Sequence, residues 1–344
     1  MAGVRKRGEA IRQFILDNVT HHPSSIVART AEEFGISRQA VNGHLRRLLA
    51  QELLVAQGTT RNRTYRLQVE ISVSQGFELS GLQEDLVWRQ FVAPNLGVLP
   101  DNVLGIWNFG FTEMLNNAID HSQGGRAIVS LEKTPAFSRI SITDDGTGIF
   151  VHIQQVLDLL DERHAVLELA KGKLTTDPEN HSGEGIFFSS RMFDEYAILS
   201  GGGYFFHEFN KPEDWILERE KPADGTSVFM QLGNNSARTA RAVFDKYGSG
   251  EDYGFDKTVV PVSLARYGNE QLVSRSQAKR LLARVDRFRI VIFDFTGIDY
   301  VGQAFADEVF RVFKNRHPRM ELYFSAANAA VTDMIVRALG TGKN

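Results

Sequence analysis

The most constraining stretch of this sequence is ISITDDGTGIF, residues 140–150. Ile140 and Ile142 alternate with polar residues, the period of a strand with one buried face. The strand ends at Asp144, and Gly146 and Gly148 follow almost at once. A chain containing this run needs a sheet whose strand end presents a carboxylate beside bare backbone. Glycine there lets the backbone approach a ligand where a side chain would intrude. Taken alone, the run also fits an ordinary glycine turn.

Three further motifs flank it in a fixed order. FTEMLNNAIDHS reads as a helix on which Glu113 and Asn117, four residues apart, emerge from one face. An asparagine carbonyl can ligate magnesium, which keeps several waters and takes phosphate oxygens for its remaining positions. Glu113, one turn earlier, is placed to orient or deprotonate a nucleophile, although Glu-x-x-x-Asn is also a common solvated helix face. In ENHSGEGIFFSSRMFD, Gly183 and Gly185 precede a helical stretch, and free N–H groups at a helix start favour phosphate. DGTSVFMQL begins a strand at Thr226. Lys171 and Lys173 lie close enough in sequence to reach a phosphate, the alternative being a solvated position.

The segment before these motifs reads helix, helix, helix, hairpin. Ile11, Phe14 and Ile15 form the apolar stripe of a helix over 8–18, and Pro23 and Ser25 open a second. Gly35 stops that helix, and Ser37 can cap a third whose buried side is Val41, Leu45, Leu48 and Leu49. Strands follow at 53–56 and 64–67, joined by a polar, basic connection. Residues 1–68 carry eleven Lys and Arg against five Asp and Glu, whereas the remainder carries twenty-eight against thirty-seven. A basic head on an acidic body points to a polyanion partner or to a solvated charged face.

Beyond a glycine-rich linker at Gly248 to Gly254, the chain alternates strand and helix three times. Val259 to Leu264 and Ile290 to Phe293 are apolar runs fit for central strands. Gly302 to Asn315 and Asn328 to Leu339 have helical spacing. At 344 residues the chain has room for more than one domain. The absence of cysteine removes disulfides and thiolate metal sites. No apolar run approaches the roughly 20 residues that span a bilayer. MAGVRKRGEA leads into an amphipathic helix without a signal-peptide core, so the expected location is the cytoplasm, with no membrane partner.

Together the four motifs resemble the GHKL, or Bergerat-fold, ATP-binding domain of histidine kinases, gyrase B subunits, mismatch-repair ATPases and the large heat-shock chaperone. The resemblance implies ATP and Mg2+ as cofactors, with Asn117 as metal ligand and Asp144 as the adenine-binding carboxylate. It places Gly146, Gly148, Gly183 and Gly185 around nucleotide and phosphates, and Thr226 on the adenine side. Residues from about Phe150 to Ser182 would form a helix and mobile lid. Glu113 as the catalytic residue, and the run NAIDHS with His121, look most like the anti-sigma serine-kinase branch; His121 can equally be a packing histidine. AEEFGISRQAVNGHLRRLLAQ resembles a winged helix-turn-helix. That would direct Arg38, Gln39, Asn42 and Arg46 to base edges of double-stranded DNA and Arg61 and Arg63 to its backbone. RIVIFDFTGIDYVGQAFADEVFRVF resembles a STAS domain. Its Gly302, Gln303, Ala304 and Phe305 stand where STAS switches show Asp-Ser-Ser-Gly, so this chain has no hydroxyl to phosphorylate there.

The expected architecture is therefore an α/β multidomain chain. A winged helix over 1–68 is followed by a GHKL α/β sandwich over 69–245 and a STAS-like α/β domain over 246–344. The implied function is an ATP-binding, DNA-binding transcriptional regulator of bacterial type, acting as a homodimer, with a protein partner reached through the STAS-like domain. Two other readings stay open: a serine/threonine kinase acting on a separate protein, and a nucleotide-dependent stress or defence effector.

Overall fold

A computed structural model describes residues 2–59, 62–174, 183–211, 215–249, 254–266 and 270–340. The head consists of α1 (Ala2–Asn18), α2 (Ile26–Phe34) and α3 (Arg38–Ala50), followed by the antiparallel pair β1 (Leu54–Gln57) and β2 (Thr64–Leu67). Gly35 ends α2 at φ 60, a left-handed conformation that glycine adopts without strain, and its N–H returns to the carbonyls of Ala31 and Glu32. Ser37 caps α3 by accepting the Ala40 N–H at 3.2 Å, as its position predicts. The first helix begins earlier than residue 8, and β1 starts one residue later than expected. Ile15, Ile26, Val41, Leu45 and Leu48 form a small core of their own.

The middle of the chain is a five-stranded antiparallel sheet covered on one face by helices. Its strands are β3 (Ile71–Glu78), β4 (Arg126–Lys133), β5 (Phe137–Asp144), β6 (Glu195–Glu208) and β7 (Trp215–Gly233), in the order β3-β4-β5-β7-β6. Alternation decides the faces: Val129, Leu131, Ile140, Ile142, Val228 and Met230 are buried, while Ile128 and Phe229 point outward and are about half exposed. A short helix α4 (Glu84–Val87) runs through a wide π turn into α5 (Ala93–Leu96) and leads to α6 (Asp101–His121). Buried residues on α6 fall at 103, 106, 107, 110, 111, 114, 115 and 118, the three-and-four spacing of a helix with one apolar face. Three shorter helices, α7 (Ile149–Leu157), α8 (Glu162–Lys171) and α9 (Gly185–Met192), complete the layer, and α10 (Ala240–Tyr247) follows β7.

The head is attached at a defined place. Ala136 belongs to its buried cluster and Phe137 packs against it, so the head rests on the turn between β4 and β5.

After α10, β8 (Gly248–Ser249) pairs with β9 (Gly254–Phe255) across the expected linker, whose residues 250–253 lie outside the described ones. The C-terminal unit has a parallel sheet of β10 (Lys257–Pro261), β11 (Ile290–Asp294) and β12 (Glu321–Ser325). It carries α11 (Arg275–Leu282), then α12 (Gln303–Asp307), which continues through a π turn into α13 (Lys314–Arg316), and finally α14 (Ala329–Gly340). β10 is shorter than the apolar run predicts, because after Pro261 the backbone turns into a tight helical turn over Val262–Ala265. Buried residues from Leu79 to Ala338 form one continuous cluster that includes both the middle and C-terminal sheets. The chain is thus mixed α/β with several sheets. Among the described residues no helix is long and apolar enough to cross a membrane.

The close packing of α6 gives a stability test. Gly110 lies against Phe193, where an added Cβ would sit 2.3 Å from the ring. Alanine gains about 1 kcal/mol over glycine in an unhindered helix interior, whereas overpacking a core costs about 1–3 kcal/mol. Gly110→Ala is expected to lower the urea unfolding free energy by about 1–2 kcal/mol, the sign opposite to helix propensity.

Candidate functional site

A cavity of about 260 Å³ lies between α6, the end of β5, the middle of β7, where Thr226 sits inside the strand and not at its start, and the helices α7 to α9. Glu113, Asn117, His121, Asp144, Gly183, Gly185 and Thr226 all line it, together with the apolar Ile142, Ile153, Leu169 and Val228. Four separate sequence motifs therefore meet at one place. Gly146 and Gly148 are not on its surface; they shape the turn behind it. Gly148 has φ 90, and a Cβ there would meet Ser200 Oγ at 2.6 Å.

Asp144 organises one end. Its Oδ1 accepts the N–H of Gly146 at 3.0 Å and that of Thr226 at 3.2 Å. These bonds fix the carboxylate plane and, among the described residues, leave Oδ2 as the uncommitted acceptor. Burial pushes the Asp144 pKa above its ordinary value, opposed by the two N–H donors. Thr226 adds a second link, since its hydroxyl accepts the Ile149 N–H at 2.9 Å and so ties β7 to the start of α7. Ser200, buried on β6, donates to the Gly225 carbonyl at 3.0 Å.

At the other wall, Glu113 and Asn117 emerge one turn apart on α6. Among the described residues the amide nitrogen of Asn117 makes one side-chain hydrogen bond, a long 3.9 Å approach to Met114 Sδ, so the amide is not committed to a strong internal partner there. Glu113 faces the first residue of α9: a Cβ on Gly185 would lie 2.0 Å from its Oε2. A side chain there would push the Glu113 carboxylate aside. The positive end of α9 favours negative charge, from Glu113 itself or from a ligand. His121 stacks with His152 of α7, ring centroids 6.4 Å apart.

Chemically, the cavity offers a buried carboxylate acceptor, an uncommitted amide, a helix start and apolar walls. Among the described residues no group of three His, Asp or Glu could hold a metal. A cation at Asn117 would take its other ligands from water and from the bound molecule. Two participants escape sequence reasoning. Ser200 has a faint signal, the glycine triplet Gly201 to Gly203 that follows it. His152 has none beyond its place on the helix after the glycine turn.

Lys171 departs from both sequence alternatives, whereas Lys173 stays partly exposed. Lys171 is 1% exposed; it reaches neither solvent nor the cavity, because its ammonium turns to the carbonyls of Arg280 and Ala283. Lys173 donates to the Arg287 carbonyl at 3.2 Å. Residues 175–182, the rest of the expected lid, lie outside the described residues.

In the head, Arg38, Gln39, Asn42 and Arg46 are all exposed on α3, and Arg63 is exposed at the start of the hairpin's second arm. Arg61 lies outside the described residues. In the C-terminal unit, Gly302 immediately precedes α12, with Gln303 exposed and Phe305 buried, so no hydroxyl stands at that junction. Thr296 is committed to Asp294 Oδ1 at 2.7 Å.

Asp144 supplies a pH test. Its pKa is raised on folding, so between the ordinary 3.8 and the folded value the folded chain holds a proton that the unfolded chain has released. Wild-type stability then falls as pH rises through that window. Asp144→Asn keeps an oxygen for both N–H donors and removes the charge. The variant is expected to gain on wild type in urea unfolding as pH rises through the window; an advantage that grew on acidification would contradict this assignment.

Comparison with known proteins identifies one part of the chain. Residues 277–331 match the family described as a STAS-like domain of unknown function (DUF4325). No curated protein matches the chain. The match runs from α11 into α14, so the chain carries a STAS-like domain in its C-terminal unit.

Proposed function

We propose that this protein is a DNA-binding regulator switched by ATP and Mg2+ in a GHKL-type pocket. The observation that carries this reading is the convergence of two uncommitted polar groups, Asp144 Oδ2 and the Asn117 amide, with the start of α9 on one apolar-walled cavity. A carboxylate oxygen beside apolar walls suits the exocyclic amine and flat face of adenine. A helix start suits phosphate. Asn117 would hold Mg2+, whose role when bound is to neutralise phosphate charge. Glu113 is positioned to orient a water, which makes slow hydrolysis part of the reading.

The head supplies the output. Its three helices and hairpin fit a winged helix-turn-helix, and α3 exposes Arg and Asn/Gln side chains suited to paired hydrogen bonds with guanine and adenine edges. Arg63, with Arg61 two residues before it in sequence, suits backbone phosphates. β5 connects the two: Asp144 at one end is in the pocket, and Phe137 at the other packs into the head's cluster. Over eight residues that is a stiff link of roughly 23 Å. A homodimer on a palindromic site would place half-sites about 34 Å apart.

STAS-like domains often mediate protein contacts, which supports a protein partner for the C-terminal unit. A kinase acting on its own STAS-like domain is disfavoured, since Gly302 to Phe305 offers no acceptor hydroxyl. Transfer to a separate protein is an outcome that labelled ATP would reveal.

Calorimetry with ATP and Mg2+ tests the pocket. Wild type is expected to bind, and Asn117→Ala to weaken binding roughly tenfold or more with Mg2+ present and far less without it; no heat from wild type would refute the assignment. For the head, replacing Arg38 and Arg46 together with alanine is expected to cost roughly tenfold or more in duplex affinity by gel retardation, with ATP binding unchanged. Unaltered retardation would count against DNA recognition by α3.

A further inference from the structure

From Ala165 onward α8 has no solvent face. Every residue from Ala165 to Lys171 is buried, although ERHAVLELAK has the composition of a surface helix. Such a helix lies between two bodies. On one side Leu169, and Leu174 just beyond the helix, line the cavity. On the other side the helix meets the C-terminal unit that carries the STAS-like domain.

That second contact is polar and closely matched. Lys171 Nζ donates to Glu168 Oε1 at 2.7 Å, to the Ala283 carbonyl at 2.8 Å and to the Arg280 carbonyl at 3.3 Å. An ammonium has three N–H donors, and all three are used here. Arg280 and Ala283 close the C-terminal end of α11, where unpaired carbonyls and the helix dipole favour a cation. Arg284 approaches the other oxygen of Glu168 at 3.8 Å. From β10, Thr258 Oγ donates to the Lys171 carbonyl at 2.6 Å. Further along, Lys173 and Arg287 exchange side-chain to carbonyl bonds at 3.2 and 2.9 Å. Burial draws the Lys171 pKa down, and the Glu168 carboxylate opposes that shift.

A buried ion pair is a particular kind of contact. Against well-packed apolar side chains of similar volume it is close to break-even, because both charges are well solvated when the faces part. A helix held this way can leave its partner more readily than one held by leucines. Leu169 of the same helix belongs to the cavity wall, so any movement of α8 changes the space open to a nucleotide, and α8 is a wall with a separable back.

We infer that Lys171 is a positioning residue through which the STAS-like domain holds the pocket wall, so that nucleotide exchange and the seating of α11 against α8 are linked. This rests on the nucleotide reading of the cavity. Linkage of this kind is reciprocal: a protein that draws the STAS-like domain away from α8 speeds nucleotide exchange, and nucleotide in turn alters the domain's availability to that protein.

The test uses the full chain, a fluorescent ATP analogue with Mg2+, and amide hydrogen exchange of residues 162–171. Lys171→Met leaves Glu168 and two carbonyls without their partner. It is expected to raise α8 exchange and the release rate of the analogue each by roughly tenfold or more, while α6 and the sheet keep wild-type exchange. Adding Glu168→Leu removes the stranded carboxylate and is expected to return both rates toward wild-type values. That reversal is something a general loss of stability would not produce. Should Lys171→Met fail to fold, Thr258→Val removes one bond to the Lys171 carbonyl without stranding a charge and is expected to move both rates in the same direction. Faster α8 exchange with unchanged release would overturn the linkage, and unchanged exchange would overturn Lys171 as the anchor. A wild-type chain that binds no analogue refutes the nucleotide reading instead, and faster α8 exchange in Lys171→Met would still support the anchor.

Discussion

At the end of β5 the carboxylate of Asp144 meets the Thr226 N–H of β7, and the same oxygen receives the Gly146 N–H from the turn that follows. Thr226 then receives the Ile149 N–H that opens α7, and Ser200 on β6 holds the carbonyl of Gly225. Three strands and a helix are thereby tied within a few residues of one side chain. The glycines around it follow from this crowding. A Cβ on Gly225 would fall 2.0 Å from the Asp144 carbonyl oxygen, so the backbone of β7 passes too close for any side chain. Burying a carboxylate that keeps one oxygen uncommitted costs stability, and strain of that kind is characteristic of sites retained for function.

From that anchor the remaining layout is a matter of reach. α6 packs along the sheet and presents Glu113 and Asn117 to the cavity, with α9 set against them because Gly185 has no side chain. β5 carries the position of Asp144 outward to Phe137 and the head. α8 carries the position of the opposite wall outward to the STAS-like domain. A shift at the pocket has two rigid elements along which to travel, each ending on a different neighbour. A ligand can exploit that only through different affinities for two arrangements.

Much of this was legible from local pattern. The spacing of apolar residues on α6, the Ser37 cap, the Gly35 stop and the strand ending at Asp144 are all set by nearby residues, and all appear as expected. The seven candidate residues that line the cavity belong to motifs with short-range geometry. What local pattern could not reveal was decided by distant neighbours. Lys171, which by sequence reaches a phosphate or stays solvated, is buried because β10 and the end of α11, 87 to 112 residues downstream, meet it. Ser200 is an unremarkable strand serine until the turn at Gly225 folds against it. The π turns after α4 and α12 have no signature in apolar spacing, and β10 ends early because of its proline.

The central claim is that pocket and head are energetically coupled. The direct measurement is the affinity of the full chain for duplex DNA by fluorescence anisotropy, at fixed salt, with and without saturating ATP and Mg2+. The account predicts that nucleotide shifts the dissociation constant by roughly fivefold or more, the lower end of ordinary coupling energies, and that Asn117→Ala abolishes the shift. Identical DNA affinity in the two conditions, with nucleotide binding independently demonstrated, would contradict it.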